Sequence, residues 1–356
     1  MPRSRRDQAF PIRFLCVLIL LLLVFASAAC GQTDPPSGES ASGTEPVSEP
    51  VSEPASEAVS ETSPDESEES AMTPTTSDDR IPPPTGNTKT FTNLDYKNTG
   101  KMGDNDGPAY CVYSKTGYRK ASMDVQISQM QIHTVRKSDR KFVNAYMFLG
   151  CDIYSGSWWA NCFDAGFCWS GGNPAWHLFY NIYDPADGQK GWYESSVRLN
   201  SKHDYRLTLD TSEEDEKAAV VIYDLTAEKE ADRAVFYVKK MKRDGSNTSY
   251  LMDFALDYPD NVRKDRNGKT TQDWAEITLY NTDEGLFLNN VLVTNTMILP
   301  GTSEEMVPWD GNATNNRSLW PDRTVEIFDY PCTTVYVDEN EPDSSFRVDL
   351  DMNHRS

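Results

Sequence analysis

Residues 154 to 193 hold five of the eight tryptophans: Trp158, Trp159, Trp169, Trp176 and Trp192. Tyr154, Phe163, Phe167, Phe179, Tyr180, Tyr183 and Tyr193 lie among them, beside the polar Asn161, Asp164, Asn173, His177, Asn181 and Asp184. Flat apolar rings next to amides and carboxylates can hold a sugar. A pyranose packs its apolar face on a ring while its hydroxyls meet fixed polar partners. Gly156, Gly166, Gly171 and Gly172 predict loops over much of the segment. The candidate ligand-binding set is therefore Trp158, Trp159, Asn161, Asp164, Trp169, Asn173 and Trp192. Trp176 and Phe179, on an expected strand, are read as core. Rings of this kind also serve protein–protein contacts, so that use stays open for the segment.

Catalysis finds less support. Glycosidases hold two carboxyl groups across the scissile bond, and no strand here pairs them obviously. Glu213 to Glu216 is a charge run on an expected turn, Asp253 and Asp257 share a strand face but lie far apart, and Glu194 has no evident partner. There are four histidines and no Gly-x-Ser-x-Gly elbow. No catalytic residue is assigned, and enzymatic activity is left open.

For metals, Asp104-Asn105-Asp106-Gly107 offers carboxylates in a tight turn, and Asp349 or Asp351 near the other end of the chain could complete a structural calcium site. An Asx turn accounts for the same residues. No CxxC or HxxxH spacing points to zinc.

The elements that must position these groups are short strands. Met123, Val125 and Ile127 alternate, then Met130 and Ile132 resume in the other parity, which predicts a bulge near Ser128-Gln129. Alternation recurs at Tyr205-Leu207-Leu209, Ala218 to Tyr223, Ala234 to Val238, Ala275-Ile277-Leu279, Leu286 to Val293, Val325-Ile327, Val335-Val337 and Phe346-Val348-Leu350. Turn clusters such as Asp244-Gly245-Ser246-Asn247 separate them. No stretch of about 15 residues carries a helical stripe. The expected fold is all-β, a two-sheet jelly-roll sandwich over residues 88–356.

Ahead of it come a basic start with Arg3, Arg5, Arg6 and Arg13, an uncharged run from Phe14 to Ala29, and small residues before Cys30. That order reads as an export signal over residues 1–29. Residues 30–87 are nearly all Ser, Glu, Pro, Thr, Ala and Gly, with 13 acids against one base from Gly31 to Arg80. Such a segment has too little apolar surface to offset its ordering entropy, and reads as a disordered, extended tether. The chain's 356 residues carry a formal charge of −21, most of the excess lying outside the aromatic segment. The balance disfavours nucleic acid, whose phosphates need cationic partners. In an exported chain Cys111, Cys151, Cys162, Cys168 and Cys332 read first as disulfides. Cys162 with Cys168 would staple one loop and Cys111 with Cys332 would join terminal strands. Cys151 is left either buried or partnered by one of the loop cysteines.

Ala28-Ala29-Cys30 resembles the end of a bacterial lipoprotein signal, with Ser27 where that family usually has Leu. The resemblance implies lipidation of Cys30 and a membrane anchor at the outer face of the cell membrane; an uncleaved anchor or plain secretion would equally place the chain outside. Trp176-His177-Leu178-Phe179, Tyr205-Arg206-Leu207-Thr208-Leu209 feeding Val220-Val221-Ile222-Tyr223, and Gly285-Leu286-Phe287-Leu288-Asn289-Asn290-Val291 resemble patterns of the concanavalin A-like lectin and glucanase superfamily. The Glu-x-Asp-x-x-Glu strand of its glucanases is absent. Gln131-Ile132-His133 matches a short motif of one of its alginate-lyase families, without that family's Arg-x-Glu-x-Arg strand. The resulting expectation is a membrane-anchored, lectin-like lipoprotein that binds glycan or cell-wall polysaccharide without chemistry. The alternatives are a glycoside hydrolase or polysaccharide lyase on the same fold, and an adhesive module with a protein partner.

Overall fold

The computed structural model describes residues 88–95, 107–137, 139–170, 173–257, 285–320, 331–338 and 343–353. The export signal, the tether with Cys30, the Asp104-Asp106 turn and the Ala275 and Val325 runs lie outside the described residues. Among the described residues no helix is long and apolar enough to cross a membrane.

Among the described residues, seventeen strands follow in chain order. They are β1 Thr88–Thr92, β2 Ala109–Thr116, β3 Tyr118–Val125, β4 Gln131–His133, β5 Asn144–Ser155, β6 Trp158–Ser170, β7 Asn173–Ile182, β8 Trp192–Glu194 and β9 Tyr205–Asp210. Then come β10 Lys217–Asp224, β11 Lys229–Tyr237, β12 Thr248–Asp257, β13 Phe287–Pro300, β14 Val307–Pro308, β15 Thr314–Trp320, β16 Thr333–Asp338 and β17 Phe346–Asp351. All pair antiparallel in two sheets. One runs β1-β16-β17-β13-β3-β9-β10-β11, with β4 and β14 also on β13; the other runs β15-β2-β12-β5-β6-β7-β8. The chain crosses repeatedly between them, and the all-β two-sheet jelly-roll sandwich expected from alternation is what forms.

The core lies between the sheets, because alternate side chains of each strand point to opposite faces. From one sheet come Met123, Leu207, Val220 and Val348, from the other Met147, Phe167, Leu178 and Phe254, all buried. Trp176 is 1% exposed in this core, as its strand position implied. Beside it a column of rings runs Tyr193, Tyr180, Phe236 and Phe163, with successive centroids 5.1, 4.5 and 5.2 Å apart.

The parity change at Met130 has a different cause from the expected bulge. A 3-10 turn at Ile127–Gln129 separates β3 from β4 and rotates the chain before Ile132 returns inward. β13, which pairs with both β3 and β4, is irregular instead. Its register shifts after Leu288 and after Thr294, and Asn290 and Asn295 there hold positive φ values of 58° and 49°. Asparagine tolerates that region better than most residues. Asn290 N–H donates to Asp349 Oδ1 (2.7 Å) and its amide to the Gln129 carbonyl, while Asn295 donates to Asp124.

The cysteine pairing expected from export does not occur: none of the five thiols is in a disulfide. Cys162 and Cys168 lie on one strand, β6, rather than in a loop. Six residues of strand span about 20 Å, several times the reach of a disulfide. Cys332 sits in the core, whereas Cys111 points out of the other side of β2, so the sheet itself separates them. Cys151 is buried as a small apolar residue. Burial, with Asp152 and Asp164 nearby, pushes its thiol well above the usual range.

Two outcomes follow for stability. Trp176→Ala should cost about 3–5 kcal/mol in urea unfolding, while Trp158→Ala, on a side chain 74% exposed, should stay within about 0.5 kcal/mol. For pH, desolvation raises Asp210 and Asp224, but hydrogen bonds outweigh it and leave both below the ordinary carboxylate range. Lys120 and Ser212 hold Asp210; His203, Ala227 and Thr226 hold Asp224. A carboxylate depressed on folding stabilises above its unfolded value, about 3.9. The Tm should therefore fall as pH drops below about 4, and Asp224→Asn should flatten that decline.

Candidate binding face

The second side of the seven-stranded sheet carries the chemistry. In the β5–β6 ladder, Ala145 faces Trp169, Met147 faces Phe167 and Leu149 faces Ala165, all toward the core. The intervening residues point away. Across β5, β6, β7 and β8 they form two rows: Phe148, Gly166, Phe179 and Glu194, then Gly150, Asp164, Asn181 and Trp192.

Four rings make one station at this face. Phe179 lies 5.2 Å from Tyr146, 5.9 Å from Phe148 and 5.4 Å from Trp192, centroid to centroid. Tyr146 and Trp192 meet edge to face at 6.5 Å. Trp192 is 40% exposed and Phe179 is buried beneath it, so the inner rings support the outer one. Polar groups border the station. The Asn144 amide donates to the Tyr146 hydroxyl (3.1 Å), and Ser170 Oγ donates to Glu194 Oε1 (2.8 Å).

A second station stands at the other end of the strands. Trp159 packs on Tyr183 at 5.0 Å and donates its indole N–H to Asp152 Oδ1 at 3.2 Å. Tyr154 donates to the other oxygen of Asp152. The indole is thus held on two sides before any ligand arrives. Along β7, the four residues from Phe179 to Tyr183 separate the stations by about 13 Å. Asp164 and Asn181 face each other in the interval.

Two glycines keep the floor between the stations low. A Cβ at Gly166 would sit 2.6 Å from the Met147 carbonyl oxygen and the Phe148 Cα. At Gly150 it would meet Asp164 Oδ1 at 2.5 Å, so the glycine leaves the space over which that carboxylate lies.

The candidate set from sequence divides against this geometry. Trp159, Asp164 and Trp192 belong to the face. Trp158 is beside it at the tip of the β5–β6 hairpin, where Gly156 turns the chain at φ +63°. Trp169 does not belong: it has core parity and packs edge to face on Trp176 at 5.7 Å. Asn161 does not belong either. It is buried, and its amide bonds the Asp184 and Lys239 carbonyls while its oxygen receives the Cys162 and Asp184 N–H groups. It pins a loop. Asn173 opens β7 opposite Ser170, and its side chain lies outside the described residues. Phe179, read as core, is buried on the outward side instead. Tyr146, Phe148 and Asp152 were missed, although Asn144-Ala145-Tyr146-Met147-Phe148-Leu149 is apolar at both parities, the mark of a strand covered or used on both faces.

Of the residues in the calcium reading, Asp104 and Asp106 lie outside the described residues, and Asp349 is already engaged. Both oxygens of Asp349 are taken by the Arg347 guanidinium (2.9 and 2.6 Å), and Oδ1 also receives the Asn290 N–H. That carboxylate is neutralised and serves the β13 bulge. Among the described residues, no group of three or more His, Cys, Asp and Glu side chains is placed to hold a metal. The Gln131-Ile132-His133 motif pairs with β13 in the other sheet, where His133 packs on Phe287 at 5.9 Å, away from the aromatic face. Burial lowers that imidazole's affinity for protons.

Gly166→Ala should destabilise the protein by about 1–3 kcal/mol, since backbone atoms rather than a mobile side chain stand in the way. Near-ultraviolet circular dichroism should register the displaced Phe148 and Phe179 rings before the fold is lost.

No protein-family model matches the chain, and no curated protein does. Among solved structures it is similar to scytalido-glutamic peptidase with a transition state analog inhibitor, at 10% identity and a TM-score of 0.39, covering 68% of this chain and 97% of that one. The same peptidase with a peptide-based transition state analog gives 9% identity and a TM-score of 0.37, with 68% and 96% covered. The full-length tailspike protein 2 of Escherichia coli O157:H7 bacteriophage CAB120 gives 11% identity and a TM-score of 0.23, with 55% and 26% covered. Likenesses this loose carry no argument about chemistry.

Proposed function

We propose that this chain is an exported glycan-binding protein, anchored through lipid at Cys30 and carrying its sandwich clear of the membrane on the acidic tether. One observation supports the binding reading above the others: two aromatic stations on one outward face, with a glycine-lowered floor and the Asp164–Asn181 pair between them. Sugars use stacked rings for affinity and hydrogen-bonding side chains for orientation. Rings already held by neighbours, as Trp159 is by Asp152 and Tyr183, lose little freedom on binding. The N-terminal pattern and the low-complexity segment supply the placement.

The test is retention of the full chain on immobilised polysaccharides. Trp192→Ala and Trp159→Ala should each weaken retention about tenfold or more, the scale of a well-packed aromatic contact. Trp169→Ala, a core change, should lower Tm without a selective loss of binding. Wild-type retention by both face variants would defeat the assignment of the face. Failure on every glycan, with a folded protein, would defeat the glycan reading itself.

A further inference from the structure

The aromatic face has a one-sided charge. Asp253 on β12, Asp152 on β5, Asp164 on β6 and Glu194 on β8 occupy outward positions, their register fixed by the same ladders that place the rings. Read strand by strand, the outward positions of β12 and β5 to β8 hold no lysine or arginine among the described residues; His177 is the one basic side chain, and it is buried. Asp152 is occupied in holding Trp159 and Tyr154, and Asp253 receives the Cys111 thiol. Asp164 and Glu194 flank the rings of the first station, Asp164 in the row of Trp192 and Glu194 in the row of Phe179.

Resting on the glycan reading above, we propose that the occupant of this face is a polysaccharide bearing free amines, an amino-sugar polymer in its ammonium form. Charge complementarity selects it. An ammonium group donates charge-assisted hydrogen bonds to a carboxylate such as Asp164 or Glu194. It is also attracted to the faces of Trp and Tyr rings, which Trp192 and Tyr146 supply beside those acids. The sugar rings between the amines keep the apolar faces that stack on the stations. A neutral polymer brings no charge to match the acidic face, and a polyanion would be repelled.

Retention of the full chain on poly-glucosamine is compared with retention on its fully N-acetylated form, which keeps the backbone and removes the charge. The free-amine polymer should be retained at least tenfold more strongly at low salt, and the difference should shrink as salt is raised to about 0.5 M. Asp164→Asn and Glu194→Gln should each lower the ratio of poly-glucosamine retention to acetylated-polymer retention about threefold to tenfold, whatever either does to binding of both polymers together. A thermal melt of each variant separates loss of charge from loss of fold. The acidic tether could attract a polycation without the face, so Trp192→Ala is the control and should weaken poly-glucosamine retention as well.

Unchanged retention in Trp192→Ala would assign the attraction to the tether and overturn the proposal. Equal retention on both polymers would overturn it while leaving the glycan reading standing. No retention on any polysaccharide would remove both.

Discussion

The register of the β5–β6 ladder decides what this molecule can present. From Ala145 opposite Trp169 to Ser155 opposite Trp158, each pair commits one side chain to the core and its neighbour to the outward face. A slip by one residue would exchange Met147, Leu149 and Phe167 for Tyr146, Phe148 and Asp164. The ladder resists such a slip because the position opposite Phe148 admits only a glycine, so a slip would bring a Cβ against the neighbouring backbone there. β7 and β8 inherit the choice, which sends Tyr180 and Tyr193 into the core column and Phe179 and Trp192 outward. Core and face are two readings of one register.

That dependence explains how far the sequence could be read. Period-2 alternation at Tyr205, Leu207 and Leu209, or at Phe346, Val348 and Leu350, needs only a buried face and a polar one, and those strands were legible. The aromatic segment was legible as a concentration of rings but not as a surface. Trp176 and Phe179 stand three apart on one strand and so fall on opposite faces, which composition cannot show. Of the glycines that suggested loops, Gly156 does turn the β5–β6 hairpin, but Gly166 is a strand residue kept for close backbone approach; Gly150, not counted among them, leaves space under a carboxylate. With the loop gone, the Cys162–Cys168 staple went too. Asn161 was indistinguishable from a ligand because buried amides that tie loops and exposed amides that bind sugars are the same residue type.

Charge and thiols weigh differently once placed. The −21 of the chain is dominated by segments outside the sandwich strands, so it bears little on the aromatic face, whereas the carboxylates in that face's outward rows are what the amine proposal is argued from. The absence of disulfides among the described cysteines takes cysteine usage away as support for export. The thiols are instead mostly buried, and the Cys151 thiol is raised well above its usual range, which suppresses the thiolate that oxidation and exchange require. Burial protects what a disulfide would otherwise have fixed, and the placement outside the cytoplasm rests on the N-terminal pattern alone.

The same face bears on the choice between binding and catalysis. Asp152 and Asp164 are diagonal neighbours on adjacent strands, a relation that sets them about 7–8 Å apart. An inverting glycosidase needs two carboxyl groups on that scale around a water, so the pair is worth weighing. What decides their role is what else they hold. An acid or base in such a mechanism must exchange its proton with the substrate or that water. Asp152 has one oxygen engaged by the Trp159 indole and the other by the Tyr154 hydroxyl. Both oxygens are thus engaged in keeping the second aromatic station in place. A carboxylate that orients a ring in this way is part of the platform from which the glycan-binding proposal is argued.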